Sequence, residues 1–329
     1  MKKVGSVVFK CNTGLGVLAK DFYDNGIVDY VFPVHHKVFE SNEDWYVGDR
    51  VFDDTEAFLN AIDVLLCFEV PNPADSHNWS LIVECKKRGI ETVLMPMYES
   101  TPYPIPEEAL PDKWIFPSEL DRDYYRYRNL GIDGEFVQVP VTANPRLRRK
   151  AKKFIHNSGS TDGRIIDRNG TDLLIEALPM IKSDDIEIVI RSRTTSYDID
   201  DPRVTVVTAD LPYEELFEDG DAFIFPEAYN GLSLPLQEAY AAGMLVIAGH
   251  RYPINTWLPR EALVKPKEFV HYKYAYDMIP VSVYNANDLA TMIDYWSGKD
   301  IQALSARGIQ WGKDNSWDVL RDKYNKILK

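Results

Sequence analysis

The chain has only three cysteines in 329 residues. Cys11, Cys67 and Cys85 are too few for a disulfide framework and too scattered for a CxxC metal site. That excludes a disulfide-stapled miniprotein, argues against structural zinc, and points to a reducing cytoplasm. No run approaches the roughly 18 consecutive apolar residues of a membrane span, so a soluble or peripheral protein is expected. Basic residues are in deficit, 37 against 51 acidic ones, and the net charge of −14 argues against coating a polyanion through an overall field. Short-period repeats and low-complexity tracts are also missing. The opening MKKVGSVVFK has the two lysines of a signal peptide, but its apolar run is only strand length and no small-residue cleavage site follows, so it reads as a first strand.

What is present is an ordinary globular composition, 45% hydrophobic and 27% charged, at a length suited to about two domains. In the first half, β-rich runs alternate with polar or helical segments: Val4–Phe9, Asp29–Val34, Val64–Glu69, Thr92–Pro96, Trp114–Pro117 and Phe136–Val141 are predicted strands. Trp79–Lys87 is a predicted helix closed by Gly89. Residues 142–153, TANPRLRRKAKK, mark a composition shift and read as a solvated basic linker. Beyond it, strands are predicted at Phe154–Asn157, Ile186–Ile190, Val204–Val207, Ala222–Phe225 and Met244–Ala248, and helices at Asp172–Ile181 and Leu234–Ala242. Strand–helix–strand order implies parallel pairing, and two such halves would hold a ligand in a cleft beyond the carboxyl ends of their strands. The expected domains are residues 1–145, residues 146–315, and a C-terminal amphipathic helix in 316–329 that packs back toward the first.

The most informative segment, DAFIFPEAYNGLSLPLQEAYAAGMLVIAG, reads as a buried strand, a loop at Gly231, a helix opening near Ser233 with Pro235 in its first turn, and a second buried strand. Backbone N–H groups near Ser233 and Leu234, with the helix dipole, suit a phosphate. Glu238, one turn further in, is placed to accept hydrogen bonds from vicinal sugar hydroxyls. An ordinary strand, loop and helix would present the same pattern.

This segment resembles the donor-binding signature of the family 4 retaining glycosyltransferases of the GT-B fold, P-S-x-x-E-G-[FL]-[GS]-L-P-x-x-E-A-x-A-x-G-x-P-V-I. Pro226, Gly231, Leu232, Leu234, Pro235, Glu238, Ala239, Ala241, Gly243, Val246 and Ile247 stand at matching positions. The resemblance implies an α/β fold of GT-B architecture, two Rossmann-like domains with parallel sheets facing across a cleft. It implies that Glu238 grips the ribose hydroxyls of a nucleotide. The first acid of the family's Glu-x7-Glu pair is Asn230 here, a neutral amide still able to bond a sugar hydroxyl; Glu227, three residues earlier, could compensate for it but reads rather as a loop acid. Upstream, FIHNSGSTDGRIIDRNGTDLLIEAL is similar to the family's phosphate loop in variant form. Arg164 and Arg168 are available there, and Asn169 stands where a lysine before Gly is usual. Arg168 is the main candidate for the phosphate clamp, since a guanidinium binds phosphate oxygens in bidentate fashion. His156 and Asn157 are further candidates at the end of the preceding strand, and His156 could equally be a satisfied core histidine.

Gly14 and Gly16, directly after strand one, suit a backbone that a ligand approaches closely, and in GT-B enzymes a glycine-rich loop here faces the donor. Arg191, with Ser192 and Arg193, ends a strand and could reach a nucleotide. His35, His36, Met97, Tyr98 and Glu99 also follow predicted strands and could meet the sugar or acceptor. The DxD pairs Asp121/Asp123 and Asp198/Asp200 read as loop acids, so no catalytic metal and no cofactor beyond the nucleoside diphosphate sugar co-substrate is expected. The basic run Arg146, Arg148, Arg149, Lys150, Lys152 and Lys153 could meet acidic lipid headgroups or nucleic acid locally.

The expectation is therefore a cytoplasmic, metal-independent glycosyltransferase that moves a sugar from a nucleoside diphosphate sugar to a hydroxyl acceptor, with the retention of configuration that the resemblance implies. Its catalytic residues would be Arg168, Asn230 and Glu238. A GT-B sugar-nucleotide epimerase or a non-catalytic sugar-nucleotide or glycan-binding protein are the alternatives. The RNGT spelling of the phosphate loop is similar to that of phage-encoded glycosyltransferases, which adds a modified DNA base to a cell-surface glycan among the acceptors.

Overall fold

Buried strands alternating with half-buried helices build two units in the computed structural model, which describes residues 1–127, 132, 134–159, 167–209, 211, 215–274 and 277–329. One unit comprises Met1–Val139, Lys273–Asp277 and Trp317–Lys329, and the other Pro140–Tyr272 and Met278–Ser316. In the first, β1 (Val4–Phe9), β2 (Tyr30–Val34), β3 (Val64–Phe68), β4 (Glu91–Met95), β5 (Lys113–Phe116) and β6 (Glu135–Phe136) form one sheet in the order β2-β1-β3-β4-β5-β6. Every neighbouring pair is parallel. The connecting helices are α1 (Gly14–Asp24), α2 (Thr55–Ala61), α3 (Ser80–Arg88) and α4 (Glu119–Tyr127). Val7, Leu65, Cys67, Leu94 and Phe116 pack with Phe58 and Leu59 of α2 and Ile82 of α3. Helix α3 ends as its sequence directs, with three basic residues in its last turn and Gly89 at φ 72° beyond it.

Strand β6 is shorter than the predicted Phe136–Val141. The Val137 N–H still reaches Phe116 O, but Pro140 has no N–H to give and Val141 turns to Asn315 O.

The second unit repeats the plan. Strands β7 (Lys153–Gly159), β8 (Glu187–Ser192), β9 (Val204–Thr208), β10 (Ala222–Phe225), β11 (Leu245–Gly249) and β12 (Leu263–Val264) run parallel in the order β12-β11-β10-β7-β8-β9. Strands β13 (Glu268–Tyr274) and β14 (Asp277–Val283) pair separately. Helices α5 (Thr171–Ala177), α6 (Leu234–Ala241), α7 (Ala286–Trp296) and α8 (Gln302–Asp314) follow, and α9 (Trp317–Leu328) closes the chain. The period-two alternation of the central strands sorts their side chains by face. Ala222, Ile224, Leu245 and Ile247 meet Leu174 of α5 and Leu289 and Ile293 of α7, whereas Phe223, Phe225, Val246 and Ala248 meet Leu236, Ala239 and Tyr240 around α6. Helix α5 is shorter than the predicted Asp172–Ile181: from Leu178 it tightens into a 3₁₀ turn, because Pro179 cannot continue the α-helical bonds.

Helix α9 docks within the first unit. Trp317 and Tyr324 pack edge-on against Phe22 of α1, Trp317 Nε1 donates to Asp21 Oδ2 at 2.6 Å, and the Tyr324 hydroxyl reaches the carbonyls of Val137 and Gln138. Among the described residues no helix is long and apolar enough to cross a membrane.

The stretch read as a solvated linker is corrected in part. Arg146, Arg149, Lys150 and Lys152 are exposed, but Ala151 and Arg148 are buried, and the Arg148 guanidinium donates to backbone carbonyls of Arg146, Phe217, Gly220 and Ala242. Lys152 pairs with Asp185, and Lys153 with Asp219 and Glu187.

Candidate functional site

The site forms where two loops of the second unit meet, one after β7 and one after β10. Their contact depends on Asn169–Gly170. Gly170 sits at φ 82°, and a Cβ there would lie 2.4 Å from Pro226 Cγ, so only glycine lets the backbones close on each other. Asn169 Nδ2 ties its loop to β7 through Ser158 O at 2.7 Å, and Arg168 O accepts the Ala228 N–H at 2.8 Å. Asp167 receives the N–H groups of residues 170–173 at the start of α5. Arg168 is thereby held beside the β10–α6 loop. Its Nε lies 3.7 Å from Glu227 Oε1 and its guanidinium 5.2 Å from the Tyr229 ring centroid.

Glu227 is the hub, not the loop acid expected from sequence. It is 1% exposed and accepts from Asn230 Nδ2 at 2.6 Å, from the Ser233 hydroxyl, and from Arg251 Nη2. Arg251, which sequence reasoning missed, is buried and donates also to Glu227 O at 3.1 Å, Asn230 O at 2.6 Å and Ser233 Oγ at 3.0 Å. Strands β10 and β11 are parallel neighbours with Phe225 opposite Ala248, so residues just past their ends meet. Opposite charges at Glu227 and Arg251 were a legible signal once that pairing was assumed.

Ser233 caps α6 at φ 50°, ψ 56°, a left-handed conformation that costs a residue other than glycine about 1–2 kcal/mol. Of the two donors expected at this tip, the Ser233 N–H is taken up within the loop. Asn230 Oδ1 accepts the N–H of both Leu232 and Ser233 at 3.0 Å, and Gln237 Nε2 donates to Leu232 O. Gly231 and Leu232 are buried in the same loop, Leu234 opens the helix, and Glu238 lies one turn in, almost fully buried.

His156 takes the core reading of its two. It is fully buried, Nδ1 lies 2.8 Å from Ile224 O and Nε2 2.7 Å from Thr171 Oγ1. A carbonyl only accepts, so Nδ1 carries the proton, and burial holds the ring's pKa below the ordinary histidine value. Asn157 next to it keeps a buried Oδ1 with no hydrogen-bond partner among the described residues. Arg191 is not brought to the cluster: it donates to Leu216 O and pairs with Asp219 at 3.0 Å. Arg164 lies outside the described residues.

Gly14 and Gly16 belong to the first unit. Thr13 caps α1 by accepting the Gly16 N–H, and a Cβ on Gly16 would lie 2.0 Å from Cys11 O, whereas Gly14 faces open space. His36 is a turn acceptor, its Nδ1 taking the N–H groups of Val38 and Phe39, and burial lowers its pKa. His35 Nδ1 lies 2.9 Å from Ser41 Oγ.

Of the DxD acids, Asp198 and Asp200 are exposed loop residues as read. Asp123 is exposed on α4 beside Arg122. Asp121 is a correction, because it follows the buried β5 and is itself fully buried on α4. Ser118 caps the start of α4, with the Asp121 N–H on Ser118 Oγ and the Ser118 hydroxyl on Asp121 Oδ2, and Oδ1 takes the Tyr98 N–H at 2.6 Å. Burial, and then the nearby Glu99, push its pKa from 3.8 up to about 8. A carboxyl that keeps its proton in the fold while the unfolded chain ionises makes stability fall as pH rises from about 4 to about 8. Asp121→Asn should flatten that decline. Denaturant unfolding at pH 5 and pH 8 checks it: equal losses in the two proteins would mean that Asp121 is ionised at neutral pH.

No protein-family model matches the sequence, and no curated protein matches it. Solved structures do. Sucrose-phosphate synthase from Thermosynechococcus elongatus aligns with a TM-score of 0.61 at 14% identity, over 99% of this chain and 98% of that one. TarM of S. aureus, solved as a mutant in complex with Fondaparinux, alpha-GlcNAc-glycerol and UDP, aligns at 0.55 and 12% over 80% of this chain. The pneumococcal O-GlcNAc transferase GtfA, solved with UDP and GlcNAc, aligns at 0.53 and 11% over 82%. The chain spans 55% of the TarM chain and 58% of the GtfA chain. With two Rossmann-like units, each built on a six-stranded parallel sheet, the chain has the GT-B fold of these glycosyltransferases.

Proposed function

We propose that the protein is a glycosyltransferase that moves a sugar from a nucleoside diphosphate sugar to a hydroxyl acceptor with retention of configuration, and that the second unit holds the donor. The observation that carries this reading is the packing of Arg168 against the β10–α6 loop, with Glu238 one turn into the following helix. Arg168 binds the diphosphate oxygens and offsets the charge that grows on them as the bond from the anomeric carbon to the phosphate oxygen breaks. Glu238 accepts hydrogen bonds from the ribose hydroxyls. The acceptor hydroxyl attacks on the face the diphosphate leaves, and its proton passes to the leaving phosphate oxygen, so no side-chain base is required. Positive charge comes from guanidinium groups, and the reading uses no metal.

TarM and GtfA were solved with UDP, which makes UDP the first nucleotide to try. Binding of a nucleotide to the folded state alone raises the melting temperature with its concentration. A UDP-dependent shift in the wild type, followed by product formation from UDP-sugars across an acceptor panel, supports the proposal. Binding without turnover would leave a non-catalytic sugar-nucleotide protein, and no shift with any nucleoside diphosphate would overturn donor binding. Glu238→Gln should weaken UDP binding by about 10- to 100-fold, the loss of hydrogen bonds to a charged group. An unchanged dissociation constant would remove Glu238 from the ribose site.

A further inference from the structure

The β10–α6 loop departs from the glycosyltransferase signature at the position where an acid is usual, and the residues around Asn230 give that departure a physical meaning. We propose that Glu227, Asn230 and Arg251 act as one positioning unit that holds the Ser233 cap at the start of α6, and that residue 230 must be neutral because a carboxylate there would meet Glu227. The proposal rests on the donor-binding reading for its consequence and on geometry for its cause.

Asn230 makes two kinds of bond at once. Its Nδ2 donates to Glu227 Oε1 at 2.6 Å, and its Oδ1 accepts from Leu232 and Ser233 at 3.0 Å. A primary amide has both a donor and an acceptor, whereas a carboxylate only accepts. Glutamate at 230 would keep the acceptor and lose the donor, and would set a second negative charge beside one that is almost wholly shielded from water. Arg251 closes the unit, bonding the Glu227 carboxylate, the Glu227 and Asn230 carbonyls and the Ser233 hydroxyl from the neighbouring strand end. The left-handed Ser233 is thus gripped at its N–H by Asn230 and at its hydroxyl by Glu227 and Arg251. Glu227 is the buried acid of this loop, and the amide at 230 is its necessary partner.

The test is a charge exchange. Asn230→Glu should lower the melting temperature by several degrees and weaken UDP binding about tenfold or more, measured by calorimetric titration. Asn230→Glu combined with Glu227→Gln restores one amide and one carboxylate facing each other, and should return UDP affinity to within about threefold of wild type, with most of the melting temperature. A purely local packing defect at 230 would not be repaired by a second change at 227. Asn230→Glu with wild-type melting and UDP affinity would overturn the proposal, as would a double variant no better than the single one. Should the single variant fail to fold, the double variant decides: folded and binding UDP it supports the coupling, unfolded it refutes it. If the wild type binds no nucleoside diphosphate, the donor-binding reading fails, and the melting temperatures still decide whether the three residues form a unit.

Discussion

Arg168→Ala should lower the rate of sugar transfer by about 100- to 1,000-fold, the range found when one preorganised donor to a developing negative charge is removed. The melting temperature should stay within a few degrees of wild type. These two expectations come from different parts of the geometry. The side chain is mostly enclosed, at 19% exposure, yet its partner Glu227 does not depend on it, being bonded also to Arg251, Asn230 and Ser233. Removing Arg168 therefore strands no buried carboxylate, and the fold should tolerate the loss. Arg168→Lys should fall between alanine and wild type, since an ammonium keeps the charge but not the fork that meets two phosphate oxygens together. Steady-state rates with varied donor separate the cases: a guanidinium that acts on the leaving group lowers kcat, and one that only binds the donor raises KM. Wild-type rates in Arg168→Ala would place the diphosphate elsewhere.

How far the sequence announced this arrangement depends on the distance over which each feature is encoded. Strands β1 and β10 have their predicted bounds and helix α9 falls within the predicted 316–329, because each is a short apolar run or stripe flanked by residues that end it. The helix stop at Gly89 was legible for the same reason. Parallel pairing followed from element order. Features set by contacts between distant residues were not legible. Nothing near Glu227 in sequence says that it is buried, because its partner Arg251 lies 24 residues away across a strand pair. Arg148 looked like one more cation in a basic run, since the carbonyls that bury it come from residues about 70 and 94 positions on. For Asp121 the helix start at Ser118-x-x-Asp121 is a local pattern, but its burial is set by contacts such as the Tyr98 N–H, 23 residues away. Asn230 stood out in the sequence, but its bond to Glu227 did not, because that bond depends on how the β10–α6 loop folds back on itself.

Arg148→Met should cost the largest stability of any change argued from this fold, about 3–5 kcal/mol, because it leaves several buried carbonyls without a donor. The side chain is 2% exposed, and its N–H groups reach Phe217 O at 2.6 Å, Arg146 O at 3.0 Å, and the carbonyls of Gly220 and Ala242. Those carbonyls come from the loop before β10, from the end of α6 and from Arg148's own stretch of chain, so one guanidinium joins three segments of the second unit. Burial, and then the neighbouring Arg146, lower its pKa to about 10, which still leaves it charged at neutral pH with every nitrogen a donor. Methionine fills much of the volume but donates nothing, and carbonyls shielded from water cost about 1–3 kcal/mol each when left unpaired, before any relaxation. Lysine can satisfy some of them from a single nitrogen and should recover part of the loss. Arg149→Met, at the exposed neighbouring position, is the control and should change stability by less than about 0.5 kcal/mol. Denaturant unfolding of the three variants decides the matter, and equal midpoints for Arg148→Met and Arg149→Met would mean that the carbonyl cage finds other donors.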